Sequence, residues 1–139
     1  MKKEQISLKN NVEELNKLNS FVEDLLAKWQ LPGPLGMNLN LALEEVFSNI
    51  VFYAYDDQKE HEVLFAFEND GEKLHVTVSD DGKAFDPLQT PPPDDLDKPP
   101  EERHIGGLGI FFVRSVMDEL GYQRKDDKNI LKLTKKIKA

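Results

Sequence analysis

Two short runs of strict alternation constrain this chain more than any other feature. Val63, Phe65 and Phe67 alternate with Leu64, Ala66 and Glu68, and Leu74, Val76 and Val78 alternate with His75, Thr77 and Ser79. Between them, Asn69-Asp70-Gly71 supplies turn chemistry. Side chains of a strand point alternately to opposite faces, so this pattern predicts a hairpin with one apolar side that something must cover.

The rest of the chain supplies the cover. Residues 4–9 alternate as a short half-buried strand would. Asn10 or Asn11 can cap a helix through about residue 30, because Val12, Leu15, Leu18, Val22, Leu25, Leu26 and Trp29 recur at helical spacing. Pro32, Gly33, Pro34 and Gly36 read as a connector. A second helix is expected from about Met37 to Tyr55, apolar over most of its circumference and therefore buried.

From Gly82 to Ile105 periodicity disappears, and prolines 87, 91, 92, 93, 99 and 100 fall there. A loop this long inside a compact domain is usually a lid or a linker, and a lid of about residues 83–105 is expected. Ile110, Phe111, Val113, Met117 and Leu120 suggest a third helix ending at Gly121 as its C′ residue. Residues 121–126 and 129–137 then read as a last hairpin turning at Asp126-Asp127-Lys128. The sum is an α/β two-layer sandwich: a mixed sheet of about five strands covered on one face by three helices, in a single domain over residues 1–139.

Composition removes several functions. The 139 residues carry 18 Lys+Arg against 26 Asp+Glu, for a net charge of -8. That balance argues against a nucleic-acid backbone as direct partner, because such affinity rests on clustered positive charge. No cysteine occurs, which excludes disulfides, zinc-thiolate sites and thiol catalysis. The first residues lead into no apolar run of signal-peptide length, and no stretch approaches a membrane span, so a cytoplasmic protein without a membrane partner is expected. His61, His75 and His104 lie far apart without ligand-like spacing.

Three segments can carry chemistry. Glu45 and Asn49 are one helical turn apart on one face. An Asn oxygen suits a hard cation such as Mg²⁺, and a carboxylate can take a proton from a hydroxyl attacking a phosphate; alternatively both are solvated positions on an amphipathic helix. Asp80 ends a strand, where its carboxylate can accept from an exocyclic amino group while Gly82 lets a base approach the backbone; the same residues also make a plain Asp-Gly turn. Gly106, Gly107 and Gly109, around Leu108, lie before the third helix, where free N–H groups favour a phosphate; a loop needing positive φ reads the same way. No Gly-Lys-Ser/Thr follows them, so this is not a Walker A loop. Arg103 can reach a terminal phosphate or be an ordinary exposed arginine.

Taken in order, these segments resemble the GHKL ATPase superfamily, and within it the anti-sigma-factor serine/threonine-protein kinase branch. Residues Leu41 to Asn49 resemble the N box, Asp80-Asp81-Gly82-Lys83-Ala84-Phe85-Asp86-Pro87 the adenine-binding G1 box, and Gly106 to Arg114 the G2 box that closes a lid over phosphates. The resemblance implies a histidine-kinase-like ATPase fold binding ATP and Mg²⁺, with Glu45 as base, Asn49 as Mg²⁺ ligand, Asp80 as adenine anchor and Gly106 to Gly109 as phosphate cradle. It further implies a kinase that phosphorylates an anti-sigma-factor antagonist protein and sequesters a sigma factor, commonly as a homodimer. A nucleotide-gated protein-binding regulator without kinase turnover is the alternative.

Two positions depart from the family pattern. Ala84 stands where many members have a second glycine. Lys128-Asn129 stands where a Gly-Thr pair often helps hold adenine, and Asn could substitute there as a polar contact. A sensor histidine kinase is not expected, since no histidine precedes Glu45.

Overall fold

The computed structural model describes residues 2–57, 59–89 and 107–137. The elements follow in the order β1 (Lys2–Lys9), α1 (Leu15–Lys28), α2 (Gly33–Tyr53), β2 (Glu62–Asn69), β3 (Lys73–Asp80), α3 (Gly107–Val116), β4 (Glu119–Lys125) and β5 (Lys128–Lys136). Single 3₁₀ turns occur at Val12–Glu14 and Pro87–Gln89.

The strands form one sheet in the order β1-β2-β3-β5-β4. Every ladder in it is antiparallel, so the sheet is not mixed as expected. The reason is parity. One helix between two strands returns the chain to run parallel, whereas two helices separate β1 from β2, and a helix plus a strand separate β3 from β5. Each pair therefore meets head to tail. The final hairpin turns through Asp126 and Asp127 at φ 53° and 60°, the left-handed pair that matches strand twist and that short polar side chains tolerate.

The predicted alternation holds across the central strands. Val63, Phe65, Phe67, Leu74, Val76, Val78, Leu131 and Leu133 are buried, while Leu64, Ala66, His75, Thr77 and Ser79 on the other face are half-buried. The helices close over the buried face. Phe21 of α1 meets Phe67 at a ring separation of 5.5 Å, and Phe47 of α2 meets Phe65 at 6.0 Å. Full burial of such side chains contributes roughly 2–3 kcal/mol each. Asn11 caps the first helical segment by accepting from the Glu13 N–H, as its position suggests.

The expected connector is instead the first turn of α2. Pro32 is its N-cap, and Pro34 falls where a missing N–H costs nothing because first-turn amides have no intrahelical acceptor. Gly36 sits inside the helix because α1 comes so close there that a Cβ would lie 2.2 Å from a Leu26 methyl. Nor is α2 buried all round. Leu35, Leu39, Ala42, Leu43, Val46 and Phe47 face the core, whereas Met37, Leu41 and Phe52 are exposed on the opposite side. The third helix stops at Val116, and Gly121 lies within β4 rather than capping it, because Leu120 and Gly121 pair with Leu133 and Lys132. No helix among the described residues is long and apolar enough to cross a membrane.

Candidate functional site

A cavity of about 580 Å³ opens between the last turns of α2, the ends of β3 and β5, and the start of α3. Val46, Ile50, Val78, Ile110 and Leu131 make its apolar walls. Asn49, Asp80 and Asn129 are polar groups converging on it. A mostly apolar concavity with a few fixed polar groups is the usual form of a small-molecule site.

Asp80 is the last residue of β3 and is 6% exposed. Its Oδ1 accepts from the Gly82 N–H at 2.9 Å and from the Asn129 Nδ2 at 3.0 Å. Among the described residues, no hydrogen bond engages Oδ2. Strand pairing brings Asn129 there, since Asp80 and Asn129 are direct partners in the β3/β5 ladder.

Gly82 is held close to the end of α2. A Cβ on it would lie 2.6 Å from both the Cβ and the carbonyl oxygen of Ala54, and the neighbouring Lys83 N–H donates to that same carbonyl at 2.8 Å. The glycine is thus required by packing against Ala54. Gly82 does not line the cavity, but Lys83, Ala84 and Phe85 just beyond it do.

Asn49 lines the cavity from α2, half-buried, with no hydrogen bond to its amide among the described residues. Glu45 lies one turn earlier on the same helix, exposed and outside the cavity lining. The structure therefore brings Asn49 and Asp80 together and leaves Glu45 facing solvent. Gly107, Leu108 and Gly109 form the first turn of α3, immediately before Ile110 of the cavity wall. Unpaired amides of such a turn favour anions. Arg103, Gly106 and most of the expected lid lie outside the described residues.

Beside the cavity floor sits a second polar group. The His61 ring stacks on Tyr55 at 4.1 Å, with Nε2 2.8 Å from Asp57 and Nδ1 3.3 Å from Asp81. Hydrogen bonding to Asp57 holds the imidazole pKa above its usual value, with Asp81 adding to the effect against partial desolvation. Burial pushes the Tyr55 hydroxyl up, and the charges of Asp80 and Asp81 push it further.

Sequence reasoning missed Tyr53 and Tyr122, both lining the cavity. Tyr53 was legible as one turn beyond Asn49 on the same helical face. Tyr122 had no such signal, because it arrives through the β4/β5 ladder.

The residues fit a purine nucleotide. The unengaged Asp80 oxygen can accept from an exocyclic amine, the walls can flank a planar base, and Asn49 offers an oxygen to a cation. Among the described residues no cluster of three His, Cys, Asp or Glu is set to hold a metal.

Comparison with known proteins agrees. A family model described as "Histidine kinase-like ATPase domain" matches residues 8–135, and the chain belongs to that family. A serine-protein kinase RsbW of Listeria monocytogenes is 33% identical over 87 residues, covering 60% of this chain and 55% of that protein. The serine/threonine-protein kinase BtrW of Bordetella bronchiseptica is 30% identical over 100 residues, covering 72% of this chain and 70% of that protein. The match thus spans little more than half the length of the Listeria relative. Among solved structures, the RsbU and RsbW domains of Rv1364c from Mycobacterium tuberculosis superpose with a TM-score of 0.69 over 97% of this chain and 32% of that one, at 13% identity. That last likeness is one of fold.

Proposed function

We propose that this chain is an ATP-dependent serine/threonine-protein kinase that also acts as a cytoplasmic anti-sigma factor, phosphorylating an antagonist protein and sequestering a sigma factor. The observation that carries the reading is the buried Asp80, with one carboxylate oxygen fixed and the other unengaged, at the floor of an apolar-walled cavity. The relatives named serine-protein kinases support the reaction class.

In this reading Asp80 accepts from the adenine amino group, and Val46, Ile50, Val78 and Leu131 exclude water from the base. The Asn49 oxygen would hold Mg²⁺, which when bound would neutralise charge on the phosphates. The first turn of α3, with Gly106 and Arg103 before it in sequence, cradles the phosphates. Glu45 takes the proton of the acceptor hydroxyl as that oxygen bonds to the γ-phosphorus and the bond to the β,γ-bridging oxygen breaks.

One observation favours the regulator without turnover: among the described residues nothing hydrogen-bonds the Glu45 carboxylate to orient it. The two readings separate in one assay. The protein is incubated with ATP, Mg²⁺ and its small antagonist protein, beside Glu45→Gln. The kinase reading expects phosphoserine or phosphothreonine on the antagonist, and a loss of about 10²–10⁴-fold in the variant. Nucleotide-dependent partner affinity without phosphate transfer selects the regulator.

A further inference from the structure

Asn129, the second residue of β5, is 6% exposed and makes four hydrogen bonds. Its Nδ2 donates to the Asp80 Oδ1 at 3.0 Å and to the Lys83 carbonyl at 2.8 Å. Its Oδ1 accepts from the Phe85 N–H at 3.2 Å and from the Tyr122 hydroxyl. A carboxamide has two N–H donors and two lone pairs on oxygen, so its capacity is fully used. The orientation of the amide is equally fixed. The Lys83 carbonyl can only accept and the Phe85 N–H can only donate, so a flipped amide would set like groups against both.

Asn129 lines the cavity, but its side-chain donors and lone pairs are already used within the protein. Its bonds run instead to three parts of the site. One holds Asp80 so that Oδ1 is committed and Oδ2 is the oxygen available to a ligand. Two clamp Lys83 and Phe85, the residues that leave the floor toward the rest of the loop. The fourth joins Tyr122 of β4. A second tie, from Arg124 Nη1 to the Gly82 carbonyl at 2.8 Å, holds the same loop to β4.

We propose that Asn129 is a positioning residue for nucleotide specificity. It acts through Asp80, aiming the free carboxylate oxygen at the exocyclic amine of a purine, and it anchors the root of the loop that follows. The proposal rests on the reading of the cavity as an adenine-nucleotide site. It differs from a general structural role in one respect: the energy lost on removing Asn129 should depend on the amino group of the base. A buried network that fixes one rotamer of a recognising group has this effect because the geometry is set before the ligand arrives.

The test is titration calorimetry of the full chain with Mg²⁺ and either ATP or inosine triphosphate, which carries a carbonyl in place of the 6-amino group. Wild type is expected to favour ATP. Asn129→Ala should lower ATP affinity about tenfold while changing inosine triphosphate affinity less than twofold, so that the preference collapses. Asn129→Thr introduces a β-branched residue suited to a strand, with a single hydroxyl donor, and guards against a variant that fails to fold; its ATP affinity should fall between those of wild type and Asn129→Ala. Equal losses for both nucleotides, or no loss for either variant, would overturn the positioning role while leaving the cavity reading intact. A wild type that binds neither nucleotide would overturn both.

Discussion

The cavity floor and the face of α2 beside it are built differently. At the floor, Asp80, Gly82 and Asn129 are buried and joined by hydrogen bonds of 2.9 and 3.0 Å, with Asp80 and Asn129 fixed by the β3/β5 register. On α2, Glu45 is exposed and the Asn49 amide is unengaged among the described residues, beside an outer helix face showing Met37 and Phe52, 69% and 61% exposed. The floor is finished by folding alone. The outer groups have polar capacity left over, and their order must come from what binds. Recognition that is preorganised loses little freedom on binding, whereas groups ordered by the ligand give part of the gain back as entropy.

If the floor is as rigid as this contrast requires, adding one methyl there should be felt strongly. Gly82→Ala places a Cβ 2.6 Å from the carbonyl oxygen of Ala54, a backbone atom that cannot move without shifting the end of α2. The expected cost is about 2–3 kcal/mol, a fall in melting temperature of roughly 5–10 °C, together with loss of ATP binding. A variant that melts with wild type and binds ATP normally would show the floor to be yielding, and the contrast would go with it.

The α2 face should respond in the opposite way. Asn49→Ala lies on a half-buried helical surface where Ala has the better helix propensity, so stability should hold or rise by up to about 0.5 kcal/mol. The change should appear in the ligand. ATP affinity measured with and without Mg²⁺ is expected to differ by about tenfold less in the variant than in wild type. A variant whose Mg²⁺ dependence is unchanged would remove Asn49 from the cation site.

This division also decides what the sequence made legible. Period-two alternation gave β2 and β3, and helical spacing gave α1, because those patterns are local. The start of α2 was obscured by two prolines and two glycines that ordinarily punctuate. In the first turn prolines are tolerated, and Gly36 answers to Leu26 on another helix. Glu45 and Asn49 were readable from spacing of four. The bonding of Asn129 was not, since it depends on a strand pairing between residues 80 and 129. For the same reason His61 looked isolated: Asp57 is one helical turn's spacing away, but Asp81 arrives only when the end of β3 packs beside the segment after α2.

His61 gives the smallest and most diagnostic effect, because it stands between the two regions. Both of its ring nitrogens face carboxylate oxygens, of Asp57 and Asp81, while its backbone N–H donates to Asn10 at 2.8 Å. Only the imidazolium can donate at both nitrogens, so the folded state favours the protonated ring. A pKa raised above the unfolded 6.5 makes this contribution fully present below pH 6.5 and removes it as pH climbs through the folded value. Asp57 is shifted the other way, down from 3.8, so its share is present above that value and is lost only in acid. The segment joining α2 to β2 should thus be held most firmly between about pH 4 and pH 6.5. Melting curves of wild type and His61→Gln from pH 5.5 to 8.5 should converge as pH rises, by a few degrees at most since the group is near the surface. Parallel curves would mean that the charge on His61 does not hold this segment, and that the floor keeps its shape through the Asp80–Asn129 network alone.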